Sequence, residues 1–169
     1  DITIYAYDNS QILAFTIQNQ ADSLIQSLND STTTIKLEGS NSASSYIINN
    51  LGEISANNES TNTAIDLSAI TAGTVTIDNN GGTILGKINA ATQGGTVNIK
   101  LEGDQTLQGD ITGGSSQLNI IFSGGTDTAS INLGSNSKSS LIISEDSSLT
   151  GNVVMENGQT TTMQGTAII

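Results

Sequence analysis

Val75-Thr76-Ile77, Val97-Asn98-Ile99-Lys100-Leu101, Leu118-Asn119-Ile120-Ile121-Phe122 and Leu141-Ile142-Ile143 are four copies of one phrase, a short β-branched strand with an apolar residue at every second place. Their first residues are 22, 21 and 23 positions apart, and six residues after each start stands Gly81, Gly103, Gly124 or Ser147. A fixed period of this length is the signature of a repeat architecture. Ile35-Lys36-Leu37-Glu38-Gly39 repeats Ile99-Lys100-Leu101-Glu102-Gly103 letter for letter, 64 residues earlier, and reads as a copy three periods of about 21 away.

A second apolar phrase falls halfway through each period: Ile84-Leu85-Gly86-Lys87-Ile88, Leu107-Gln108-Gly109-Asp110-Ile111, Ala129-Ser130-Ile131-Asn132-Leu133 and Leu149-Thr150-Gly151-Asn152-Val153. Period-two alternation puts the apolar ends on one face and Lys87, Asp110 or Asn152 on the other. A third strand in each period has no comparable signal. A sandwich of hairpins also shows short strands with turns between them, and Asn80-Gly81 and Asn157-Gly158 would suit hairpin turns. A sandwich, however, has no reason to repeat one apolar spacing at every second strand. In a coil that climbs one strand spacing per turn, each residue lies over its equivalent one period on. Aliphatic ladders then form inside, and Gly or Asn ladders at the corners or on the flank, with Asn98 and Asn119 as one candidate pair.

The first 31 residues read differently. Ile2–Tyr7 and Ile12–Ile17 flank Asp8-Asn9-Ser10 and predict a hairpin or two edge strands. Ala21, Leu24, Ile25 and Leu28 fall at helical spacing, with Asn19 as N-cap, Asp22 three residues on and an end near Asn29-Asp30. Such a helix would cover the open end of the stack. Residues 38–63 look like early coils with longer loops, anchored by Tyr46, Ile47, Ile48 and Ile54. Met163-Gln164-Gly165-Thr166-Ala167 looks like the start of another coil before Ile168-Ile169. The expectation is an all-β, right-handed parallel β-helix of about six coils, roughly 30 Å long at ~4.8 Å per coil. A hairpin and capping helix occupy 1–31 and the solenoid 32–169. Ile35, Leu37, Ile77, Ile99, Leu101, Ile120, Phe122, Ile131, Leu133 and Ile143 should line its interior.

Composition narrows the function. The chain lacks Pro, Cys, His, Trp and Arg, and its aromatics are Tyr5, Tyr7, Phe15, Tyr46 and Phe122. A net charge of −12 argues against nucleic acid and anionic membrane surfaces, whose binding needs clustered Lys and Arg. No segment is long and apolar enough for a transmembrane helix, so no membrane insertion is expected of this stretch. An acidic, Lys-poor, Cys-free surface suits a secreted or surface-displayed protein.

The apolar-x-Gly-x-apolar phrases, the Asn/Ser/Thr/Gly-rich loops and the missing Cys resemble the passenger segments of bacterial autotransporters over residues 33–169. That resemblance implies a right-handed β-helix carried to the cell surface through a C-terminal membrane barrel. The expected helix followed by Thr33-Thr34-Ile35-Lys36-Leu37 is similar to the entry cap of pectin-lyase-like β-helices, and surface-layer proteins and large adhesins share the composition. The lyases of that fold use an Arg base with Asp-bound calcium, and the related hydrolases an adjacent Asp pair. This chain has neither.

Asp104 with Asp110, and Glu145 with Asp146, are the nearest approaches to a catalytic carboxylate pair, and each fits a solvated corner equally well. Without His or Cys no nucleophilic triad can be assembled, and no Gly-Lys-Ser/Thr phosphate loop occurs. Asp78-Asn79-Asn80-Gly81-Gly82 has the beginning of a calcium loop, but Asn89 stands where the distal Glu would be, so a polar turn is the better reading. Thr74-Val75-Thr76 would start an ice-binding array, yet its equivalents are Thr96/Asn98 and Gln117/Asn119, and the Thr32–Thr34 and Thr160–Thr162 runs suit strand entries. No catalytic or metal site and no cofactor is expected. The functional expectation is a non-enzymatic structural or adhesive module whose partner is a host or neighbouring-cell surface component, or copies of itself. A self-assembling filament or surface-layer subunit and a carbohydrate-binding or carbohydrate-active β-helix are the alternatives.

Overall fold

The computed structural model describes residues 2–8, 14–29, 33–58 and 61–168. Asn9, Ser10, Ile12, Asp30, Thr32 and Ile169, which figure in the sequence reading, lie outside them. Among the described residues there is no helix, and the chain makes seven successive rungs of three short strands. The first is β1 (Ile2–Tyr7), β2 (Ala14–Asn19) and β3 (Leu24–Gln26), and the second β4 (Thr33–Gly39), β5 (Ser45–Asn50) and β6 (Glu53–Ser55). Then come β7 (Thr63–Ile70), β8 (Thr74–Asn80) and β9 (Thr83–Leu85), followed by β10 (Lys87–Ala90), β11 (Thr96–Glu102) and β12 (Thr106–Gln108). The fifth rung is β13 (Ile111–Gly113), β14 (Gln117–Ser123) and β15 (Thr126–Thr128). The sixth is β16 (Ile131–Asn132), β17 (Ser140–Ile143) and β18 (Ser148–Thr150), and the seventh β19 (Val153–Val154), β20 (Thr160–Met163) and β21 (Thr166–Ile168). Strands of the same place in each rung pair in parallel, giving three sheets of seven strands. This is a parallel β-helix.

Three vertical ladders, one per sheet, run up the middle of its core. In the first sheet Ile4, Ile35, Ile65, Ile88, Ile111, Ile131 and Val153 stand over one another. In the second the ladder is Ile17, Ile48, Ile77, Ile99, Ile120, Leu141 and Thr161. The third runs Ile25, Ile54, Ile84 and Leu107, then Asp127, Leu149 and Ala167. Branched aliphatics suit this arrangement because each packs on the rung below and presents the same shape to the rung above. All ten residues expected inside are buried, none with more than 1% of its surface exposed. At about 1.5–3 kcal/mol for each large side chain, these ladders and the buried aliphatics beside them supply most of the folding drive.

Several expectations need correction. β1 and β2 form no hairpin: β1 pairs with β4 and β2 with β5, both in parallel, in different sheets. The capping helix is also absent. Ala21 and Asp22 make a turn, with Asp22 at φ +61°, and Leu24–Gln26 is a strand whose Ile25 stacks on Ile54. Helical spacing arose there by coincidence, since Leu24 and Leu28 point to solvent and pairing with β6 overrides a weak local preference. The predicted cap is thus a rung of the stack, which makes seven coils and not six.

The apolar-x-Gly-x-apolar phrase is two strands meeting at a corner. Ile84 belongs to the third sheet and Ile88 to the first, with Gly86 at φ +123° between them. Gly109 repeats the bend at φ +146°, and a Cβ there would lie 2.3 Å from the Gly86 carbonyl oxygen of the rung before. The Ile35 phrase lies in β4 and stacks in the first sheet, whereas its twin Ile99 lies in β11 of the second. The early coils are about 30 residues long, from Ile17 to Ile48 to Ile77, and the later ones 20–22, from Ile77 through Thr161, so three equal periods do not separate the twins. Asn80-Gly81 turns between two sheets, not within a hairpin, as does Asn157-Gly158 between β19 and β20.

Candidate functional sites: a buried amide spine and an aromatic end cleft

Where the second sheet turns into the third, the interior is polar. Asn19, Asn50 and Asn79 occupy one inward ladder position on β2, β5 and β8. Asn19 Nδ2 donates to Asn50 Oδ1 at 2.7 Å, and Asn50 Nδ2 to Asn79 Oδ1 at 2.6 Å. Asn79 Nδ2 donates to Gln105 Oε1 at 3.1 Å, and Gln105 Nε2 to both carboxylate oxygens of Asp127 at 2.9 Å. Each asparagine also donates to a corner carbonyl, those of Glu53, Thr83 and Gly82, all at 3.0 Å. A Cβ on Gly82 would sit 2.6 Å from Asn50 Nδ2, so the bare backbone there makes room for the amide. The five side chains are at most 3% exposed, so these bonds are required: a buried amide without a partner costs about 1–3 kcal/mol.

The spine has a direction, and Asp127 sets it. An ionised carboxylate only accepts, so Gln105 turns its NH2 group upward and its oxygen toward Asn79, and each amide below follows. Asp127 stands in the aliphatic ladder, fully buried, stacked on Leu149, with the Leu107 amide N–H donating to Oδ1 at 2.8 Å. Burial pushes its carboxyl up to about 6, against the opposing pull of the Gln105 and Leu107 donors.

Four of the five aromatics gather at the first two rungs. Tyr5, Ala6, Tyr7, Asp8, Phe15 and Tyr46 line a cleft of about 240 Å³. Tyr5 and Tyr7 are more than half exposed on the outer face of β1, where Tyr5 donates to Glu38 and Lys36 lies 6.0 Å from its ring centre. On the inner side Asp8 is buried and accepts from Ser44 Oγ and Tyr46 OH, both at 2.7 Å. Burial, then the hydrogen bond to Asp8, pushes the Tyr46 phenol up to about 12. Gly39 gives that phenol its path, since a Cβ would fall 1.9 Å from the oxygen.

The carboxylates weighed from sequence do not converge. Asp104, Asp110, Glu145 and Asp146 are each exposed at corners, and Asp110 Oδ1 accepts from the Ser130 N–H. Asp78 and Asn80 point outward from β8 while Asn79 points into the spine, so the calcium-like run is split between two faces. Among the described residues no group of three or more His, Cys, Asp or Glu is placed to hold a metal ion. Thr76, Asn98 and Asn119 share one outward row as read, and Asn119 Nδ2 donates to Asn98 Oδ1 at 2.9 Å.

Sequence reasoning missed the spine and Asp127. The third copy of the second phrase is Asp127–Ile131, not Ala129–Leu133, because Asp127 pairs with Leu149 and Ile131 with Val153. Likewise Leu141 stacks on Ile120, not Leu118. Ser139 is the residue beside Leu118, whose N–H it receives at 3.0 Å. Holding the spacing at 20–22 would have exposed the second slip, since Leu118 and Leu141 are 23 apart, but not the first, since Ala129 is 22 from Leu107 and 20 from Leu149. Comparison with known families, curated proteins and solved structures gives no match.

Proposed function

We propose that this chain is a non-enzymatic structural and adhesive module of a secreted or cell-surface protein, a rigid spacer that holds its flanks and loops away from their point of attachment. The observation that carries the reading is the continuity of the three interior ladders through all seven rungs. A core of that form is a rod about 30 Å long whose interior is taken up by packing, leaving flat sheet faces and corner loops as its working surface. The scattered corner carboxylates suit solvation better than acid–base chemistry. Display outside the cell is supported by the acidic, Cys-free, Lys-poor composition and by the resemblance to autotransporter passengers. The partner on this reading is a host or neighbouring-cell surface component, and the aromatic cleft is the first place to look for the contact, since exposed Tyr favours interfaces.

Self-assembly is the second reading. Val154, Met163 and Ile168 are exposed on the seventh rung, where a further strand from any source would cover them. Binding of purified protein to cells and to a glycan array, with and without Tyr5→Ala and Tyr7→Ala, tests the adhesive role. Loss of binding in the variants is expected. Turnover of any glycan would overturn the non-enzymatic reading, and regular fibres or lattices by electron microscopy would favour the second.

A further inference from the structure

The third sheet, silent in the sequence, carries a regular outer surface. Thr83 stands beside Thr106, Gln108 beside Thr128, Thr126 beside Ser148, and Ser148 beside Thr166. The Gln108–Thr128 pair puts Thr106 next to Thr126, two residues back on each strand, so one outward column is hydroxyl-bearing through five consecutive rungs. The column beside it is Leu85, Gln108, Thr128, Thr150 and Ile168. Both columns bear hydroxyls together on β15 and β18, at Thr126 and Thr128 and at Ser148 and Thr150. Thr83 and Ser148 are half-buried and the other five hydroxyl residues exposed, and none of the seven makes a side-chain hydrogen bond to another described residue. Rungs stand ~4.8 Å apart and alternate residues of a strand ~6.7 Å apart. The β-branch keeps each Thr stiff at χ1, so its hydroxyl and methyl hold their places. The Thr-x-Thr array that the second sheet lacks is present on the third.

Charge and size say what such a face would meet. The chain carries a net charge of −12, yet no outward place on β9, β12, β15, β18 or β21 is ionisable. Glu53 lies below them on β6, and Asp104, Asp110 and Asp146 stand at the corners outside these strands. Five rungs by two columns offer an area on the order of 200 Å², against roughly 800 Å² on each partner of a stable protein complex. The third sheet also holds none of the five aromatics, so a polysaccharide would find no ring to stack on. Ice is a neutral lattice of water oxygens that excludes ions and offers a donor or an acceptor to every hydroxyl. We propose that the outward face of the third sheet binds ice, with Thr126, Thr128, Ser148 and Thr150 at the centre of the contact. The fixed hydroxyls anchor waters at the spacing of the rungs, and the methyls between them keep those waters ordered. This inference stands apart from the adhesive reading above.

The test grows single ice crystals in a solution of the whole chain and reads their shape and the gap between melting and freezing points. Thr128→Lys places a charge in the middle of the array, and Thr112→Lys places the same charge on the exposed face of the first sheet. The wild type and Thr112→Lys should facet the crystals and hold the gap open, and Thr128→Lys should lose both. Denaturant midpoints of the three proteins show that each is folded, and Thr128→Ser, which keeps the hydroxyl, should retain most of the gap. Unfaceted crystals with no gap in the wild type would overturn the proposal. So would a gap that survives in Thr128→Lys, or one that Thr112→Lys abolishes equally.

Discussion

One inward position of the second sheet is built in two ways. In the first three rungs it holds Asn19, Asn50 and Asn79, and in the next three Leu101, Phe122 and Ile143, in unbroken register. The same backbone therefore accepts a hydrogen-bonded column or a hydrocarbon column. What it does not tolerate cheaply is a mixture, since an amide facing an aliphatic has lost its partner. At the junction Asn79 stands beside Leu101, and its NH2 group turns to Gln105, which reaches in from the start of the third sheet. The longer side chain of Gln spans the gap that another Asn would leave. The spine then ends on Asp127, so the change from one column to the other comes with a buried carboxyl in the core. The long early coils go with the amide half and the short late coils with the aliphatic half.

The hydrocarbon half should be the more sensitive to truncation. Phe122→Ala empties the largest fully buried side chain among the described residues and is expected to cost about 4 kcal/mol, read from the denaturant midpoint. Asn50→Leu puts hydrocarbon in the middle of the amide half. It leaves Asn79 Oδ1 and the Thr83 carbonyl without their donor, and about 3 kcal/mol should be lost. If that variant were as stable as the parent, the two halves would be interchangeable rung by rung and the contrast would fail. Asp127→Asn removes the titrating group where the spine ends, so the loss of stability that the wild type shows as pH rises through about 6 should be absent from the variant, read from denaturant midpoints at pH 4 and pH 8. The outward ladder calibrates the small end. Asn119→Ala breaks three part-buried bonds, to Asn98, Gln117 and Ser140, and should cost about 1 kcal/mol.

The aliphatic part of this design was legible in the sequence because hydrocarbon ladders announce themselves by spacing. Val75, Val97 and Leu118 stack as read, and so do Ile77, Ile99 and Ile120. The polar part was not, for a physical reason. An apolar template passes over interior places filled by Asp127 and Ser139, and it slides two residues to the next aliphatic, which keeps the same face and conceals the slip. The corners were hidden too, since the inside–outside alternation runs through Gly86 without a break although the chain changes sheet there. An abundance of Asn in loops and strands alike gave no hint that three of them face inward. In the first rung, a strand with a single inward residue, Ile25, left a spacing that mimicked a helix.

Position along the stack, and not along the chain, sets distance in this molecule. The chain has no cysteine, so spin labels can be placed at single engineered sites on the outward row that includes Thr16, Thr76 and Thr160. Pulsed electron resonance should place Thr16 and Thr160, six rungs apart, at about 29 Å between backbones, and Thr76 and Thr160, four rungs apart, at about 19 Å. Distances that fail to grow by about 4.8 Å per rung would contradict the stacked ladders on which the rest depends.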